Sequence, residues 1–208
     1  NILFSHEKVV ATPHLGASTT DAQINVAIQV AEQMADYLMT GAVVNALNMP
    51  SVSAEDAPKL QPYMKLSEQL GSFAGQVTVS AIKKVRIDYC GHVSELNTKP
   101  LTAVVLKGLL SPLLESANMV SAPTLARERN IEITETNSRT LDEFQTLIKL
   151  TVTTEQQVRA IAGTLSHGES PRVVEIKGIS MDAVLGPNML YITNEDKPGI
   201  IGSLGTTL

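Results

Sequence analysis

The 208-residue chain has no Trp, three Phe, four Tyr and a single Cys. With aromatics at 3%, a core has to be packed from Ala, Val, Ile, Leu and Met, and the ring platforms that hold single-stranded nucleic acid are missing. Cys90 has no partner for an intramolecular disulfide, and Cys90 with His92 is too small a donor set for zinc, so no metal centre is expected. Positive charge is short as well: 16 Lys and Arg against 21 Asp and Glu leave a formal net charge of -5. That balance withholds the basic face a phosphate-backbone binder needs and argues against a nucleic-acid partner. The longest apolar stretch, residues 101–114, is broken by Lys107, Gly108 and Pro112, and no charged-then-apolar leader opens the chain. These shortages lead us to expect a soluble cytoplasmic protein without a membrane partner.

What is present is an ordinary globular composition. Apolar residues make up 43%, and at roughly 100–200 residues per domain the length fits one large or two small domains. The chain begins at Asn1 rather than Met and runs at once into the strand-like Val9-Val10; it ends soon after a helix-like segment starts at Pro198. We therefore expect a piece of a longer polypeptide.

Along the chain, residues 12–19 have loop composition, with Ser18 or Thr19 as a helix N-cap. Ile24, Ala27, Ile28, Ala31, Met34, Ala35 and Leu38 recur at helical spacing until Thr40-Gly41, so one face of that helix is expected to be buried. Pro50, Pro58 and Pro62 mark a linker. The pattern then predicts a short helix over 63–74, a strand alternating from Val77 to Tyr89 with Lys83 out of phase, and helices over 100–110 and about 121–129. Strands are expected at 131–133, 148–152, 158–165, 173–176, 179–185 and 189–193. Helices and hairpin-spaced strands sharing one unit predict an α+β fold, a mixed or antiparallel sheet covered by helices on one face.

His14 is the sharpest chemical candidate. It stands among small residues in a loop between a strand-like run and a long helix, where a ligand can approach closely and an imidazole can transfer a proton. The plainer reading is a loop residue at a helix start.

The stretch Val9-Val-Ala-Thr-Pro-His-Leu-Gly-Ala-Ser-Thr19, followed by the 24–38 helix, resembles the end of the catalytic core of the NAD-dependent D-isomer-specific 2-hydroxyacid dehydrogenase family. Within it the closest likeness is to the long-type D-3-phosphoglycerate dehydrogenases, and Leu109-Leu-Ser-Pro-Leu-Leu114 and Asn118-Met-Val-Ser-Ala-Pro-Thr-Leu-Ala126 extend it. The resemblance implies that His14 is the general acid/base, helped by a Glu and an Arg that in the family's order precede Asn1. It implies that Gly16 and Ala17 lie against the nicotinamide of NAD, and that the substrate is 3-phospho-D-glycerate, oxidised to 3-phosphohydroxypyruvate on the way to L-serine. The dinucleotide fingerprint is absent, since Gly199, Gly202 and Gly205 have the wrong spacing.

The same resemblance divides the chain into a tail of the catalytic core (1–50), an intervening allosteric domain that binds substrate or another anion (53–187) and the truncated start of an ACT domain (188–208). It makes Asn194 and Asp196 candidates for the ammonium or hydroxyl of an L-serine effector. Arg172 becomes a phosphate-facing cation in the intervening domain, with Lys177 and Lys83 weaker candidates and solvated edge charges the commoner alternative. Cys90 is read as a buried strand-end thiol. By itself the chain is expected to be catalytically silent and part of a homo-oligomer, the 24–38 helix packing on another chain or on the intervening domain. The competing reading is a stand-alone module that binds a small anion or amino acid without catalysis; an accessory region of an amino-acid dehydratase is a further one.

Overall fold

The computed structural model describes residues 3, 6–140, 143–195 and 197–207. Its centre is a six-stranded sheet in the order β2-β1-β3-β4-β5-β6, formed by β1 (Ile82–Gly91), β2 (Glu132–Ser138), β3 (Thr146–Thr154), β4 (Val158–Ser166), β5 (Ser170–Ile176) and β6 (Ile179–Ala183). Only β1 and β2 run parallel; every other pair is antiparallel. Three helices between residues 57 and 128 belong to this unit: α2 (Ala57–Gln76) and α3 (Lys99–Leu110), which cross each other closely, and the short α4 (Ala122–Glu128). This is the expected α+β class with a mixed sheet.

The alternation read in residues 148–152 holds throughout β3, whose nine residues are buried and half-buried in strict turn. Register aligns its buried set with neighbours, so Ile87, Leu150, Ile161 and Ile176 make one row and Tyr89, Ile148, Gly163 and Val173 the next. Gly163 leaves a notch in that second row. A Cβ there would lie 2.7 Å from Leu66 Cδ1 and 2.9 Å from the Arg172 carbonyl, so the missing side chain is what lets α2 lie down on the sheet. On the opposite face Lys149 reaches over the small Ala162 to Glu175 at 2.9 Å, which is why that alanine is buried on the side without helices.

Several boundaries differ from the sequence pattern. α2 starts at Ala57, so residues 57–62 are helix and not linker. Pro58 occupies the first turn, where its missing N–H costs nothing, and Ser53 and Asp56 brace the entry: the Asp56 N–H donates to Ser53 Oγ at 3.1 Å. The alternating residues 77–81 are not strand. Val77 caps α2, Thr78 donates its hydroxyl to the Ala74 carbonyl at 2.6 Å, and Val79 is 80% exposed. Lys83, out of phase in the sequence, marks a register shift between Ile82 and Lys84, the mark of a bulge. Cys90 is half-buried and not fully so; burial first, then the Asp88 charge, push its thiol pKa up and keep it protonated.

Residues 9–10 and 189–193 pair with no strand among the described residues. A lone extended run has no neighbour to take its backbone groups, and pattern alone does not supply one. The helix over 24–38 forms as α1 (Thr20–Thr40), and of the two expected caps Thr19 is the one used, accepting from the Ala22 N–H at 3.2 Å. None of its residues is buried, however: Ile24, Ile28, Met34 and Leu38 are all more than half exposed, so α1 does not pack on the sheet-and-helix unit. The last helix, α5 (Ile200–Thr207), also has no buried residue.

Tyr89 is fully buried, with its hydroxyl 2.9 Å from Thr102 Oγ1 on α3. Burial pushes its pKa far above the ordinary 10.0, outweighing the Thr102 hydrogen bond that lowers it. The native state thus keeps this proton where the unfolded chain loses it. The resulting stability is whole below pH 10 and declines above it by about 1.4 kcal/mol per pH unit from this group. Denaturant melts of wild type and Tyr89→Phe between pH 9 and 11 test this: the variant should be about 1 kcal/mol less stable at pH 9, with a flatter alkaline slope.

Candidate functional site

The loop carrying His14 is built by local bonds. Ser18 donates both its N–H and its hydroxyl to the Leu15 carbonyl, at 3.1 and 2.9 Å, and Thr19 then opens α1. His14 and Gly16 are exposed and Ala17 half-buried. Among the described residues no hydrogen bond or carboxylate engages the His14 imidazole, and a Cβ added to Gly16 would meet nothing within 4 Å. The loop is therefore open for a ligand to approach, and the wall opposite it is not formed by these residues.

The other candidates lie apart from it. Arg172 on β5 is held by Asp182 on β6, and this hydrogen bond raises its pKa further. Lys83 pairs with Glu155 at 2.9 Å. Each is thus paired with a carboxylate. Lys177 occupies the tight β5–β6 turn with a positive φ of 52°, next to Gly178 at 78°, a left-handed pair that a two-residue hairpin requires. It has no carboxylate partner among the described residues. Asn194 is exposed and donates from Nδ2 to the Glu195 carbonyl at 3.0 Å; Asp196 lies outside the described residues. No hydrogen bond or ion pair joins any two of His14, Arg172 and Asn194.

Two concavities flank α2. An open, largely apolar groove of about 980 Å³ runs between α2 and residues 181–192, lined by Phe73, Met181, Leu185, Met189 and Leu190. The Tyr191 ring meets Phe73 edge-on at 5.1 Å. Beside it, at the end of α2, a pocket of about 20 Å³ is lined by Arg159 and Lys177. Sequence reasoning passed over Arg159 because it falls inside the apolar run 158–165; a lone Arg at the in-facing phase of that run was the available signal.

Residues 59–177, more than half the chain, match the family described as the D-3-phosphoglycerate dehydrogenase intervening domain. The chain belongs to that family. Among curated relatives, the D-3-phosphoglycerate dehydrogenase of Bacillus subtilis (strain 168) is 34% identical over 209 residues, covering 100% of this chain and 40% of its own length. That of Synechocystis sp. is 37% identical over 203 residues, 96% of this chain and 36% of its own, and that of Archaeoglobus fulgidus 34% over 207 residues, 99% and 39%. The chain spans about two fifths of the length of these relatives.

Proposed function

We propose that the chain is the part of a D-3-phosphoglycerate dehydrogenase that holds the acid/base His14, the intervening regulatory domain at 53–187 and the beginning of an ACT domain at 188–208. The observation that carries this reading is identity of 34% to the Bacillus subtilis enzyme over the whole chain, His loop included. The reaction proposed for the whole protein is oxidation of 3-phospho-D-glycerate to 3-phosphohydroxypyruvate in serine biosynthesis, in the cytoplasm, with NAD taking the hydride. Within it, an imidazole nitrogen of His14 takes the hydroxyl proton of the substrate.

The described residues do not themselves build a dinucleotide cradle: Gly16 faces open space and no Gly-x-Gly-x-x-Gly element leads into a helix. The contribution proposed for this chain is thus His14 and its loop, with Gly16 and Ala17 small enough for close approach. The exposed apolar residues of α1 support association with a further protein surface, in keeping with a homo-oligomer. An L-serine effector at the 194–199 turn and an anion near Arg172 belong to the same proposal.

The test is 3-phosphoglycerate-dependent NADH formation. The whole protein that contains this chain should show it and the 208-residue chain alone should not. Activity in neither would favour the non-catalytic binding module.

A further inference from the structure

Ser18 and Thr19 offer two hydroxyls where α1 begins, and a helix start uses one of them. Thr19 takes that role: its Oγ1 accepts the Ala22 N–H at 3.2 Å and its carbonyl accepts the Gln23 N–H at 3.0 Å. Ser18 turns back to the loop, and both its N–H and its hydroxyl donate to the Leu15 carbonyl, at 3.1 and 2.9 Å. The first bond closes a four-residue turn from Leu15 to Ser18, with Gly16 and Ala17 as its central pair. The second is not needed to satisfy either group, because the Leu15 carbonyl already has a donor and Ser18 is exposed to water. Its effect is a second tie across the same turn, from a residue whose backbone continues directly into the Thr19 cap.

Nothing else holds this loop. Among the described residues, the only hydrogen bonds that reach residues 10–17 are the two from Ser18, and His14, Leu15 and Gly16 are exposed. His14 comes immediately before the turn, so the direction in which the chain enters Leu15 sets where the imidazole stands relative to Gly16 and Ala17. Oxidation of a hydroxyl-bearing carbon removes a proton from oxygen and a hydride from carbon. On the proposed reading, the proton goes to an imidazole nitrogen of His14, and the hydride goes to the nicotinamide lying against Gly16 and Ala17. One short loop then sets the placement of both acceptors, and its internal geometry controls how well they align on one substrate.

We propose that Ser18 is a positioning residue for this chemistry: its hydroxyl clamps the 15–18 turn and so fixes the spacing between the His14 imidazole and the Gly16–Ala17 pair. The proposal rests on the dehydrogenase reading of those three residues.

Two variants test it. Ser18→Ala removes the hydroxyl and keeps the backbone bond of the turn; Ser18→Thr keeps both. In the ¹⁵N-labelled chain, the heteronuclear NOE of the Gly16 and Ala17 amides should match that of the first turn of α1, fall in Ser18→Ala and return in Ser18→Thr, with residues 21–24 unchanged. In the whole protein that contains the chain, Ser18→Ala should lower kcat for 3-phosphoglycerate oxidation about fivefold, the usual net effect of one hydrogen bond. KM for 3-phosphoglycerate and the midpoint of the pH profile should stay where they are, and Ser18→Thr should restore kcat. An inactive wild type, or a fully active His14→Asn, removes the dehydrogenase reading and this proposal with it. An active wild type with an impaired His14→Asn but an unimpaired Ser18→Ala overturns the positioning role alone, as does a turn equally mobile with and without the hydroxyl.

Discussion

Gly71→Ala should destabilise the chain by about 3 kcal/mol, although it replaces the poorest helix former but proline with the best. In an isolated helix the exchange gains about 1 kcal/mol. Here α2 and α3 touch backbone to backbone: a Cβ on Gly71 would press into the Val105 carbonyl, one on Gly75 into the Leu109 carbonyl, and one on Gly108 would lie 2.7 Å from the Glu68 carbonyl and the Ser72 nitrogen. A carbonyl within a helix cannot rotate aside, so the helices must separate. Separation withdraws Leu66 and Leu70, both buried, from the notch at Gly163. Urea unfolding of Gly71→Ala measures the effect, and Gly71→Ala with Gly75→Ala should leave no folded baseline. Gly16→Ala is the matched control: it meets nothing within 4 Å and should stay within about 0.5 kcal/mol of wild type. A stabilised Gly71→Ala would mean that the crossing is not as close as described.

His14→Asn in the whole protein should lower kcat for 3-phosphoglycerate oxidation by about 10²- to 10⁴-fold, the usual worth of a placed acid/base. Exposure of His14 makes this a clean test, because the imidazole has no hydrogen bond or ion pair among the described residues whose loss would affect folding. The melting curve of the His14→Asn chain should therefore overlay that of wild type. The asparagine keeps a polar group of similar reach but accepts no proton at neutral pH, so a loss confined to KM would point to substrate contact instead of proton transfer. Unchanged kcat would remove His14 from the chemistry.

How much of this was legible beforehand varies by element. The strands β3 and β4 and the helices α1, α3 and α4 were readable, because each is declared by spacing within a few residues; Thr19 was one of two caps on offer, and Lys83 showed only as a break in the alternation. The start of α2 was not, since Pro58 and Pro62 read as punctuation until the Ser53–Asp56 brace places Pro58 in a first turn. Residues 77–79 alternate and 189–193 make a short apolar run as a strand would, and neither pattern says whether a neighbour exists to pair with. His14 stands out as a candidate by its motif, while the pocket lined by Arg159 and Lys177 does not: the two residues are 18 positions apart and come to one pocket through the β4–β5 pairing.

By itself, then, the sequence determined the composition of the core, the α+β class, and the family through its His loop and two further motifs. Those follow from residue type and local period. Only the tertiary structure decided which apolar faces are covered, that three glycines form a backbone-to-backbone helix crossing, that α1 stays unburied, and that Arg159 turns to the Val77 carbonyl at the end of α2. Each of these depends on what stands opposite a residue, and that is set by pairing and packing between segments distant in the chain.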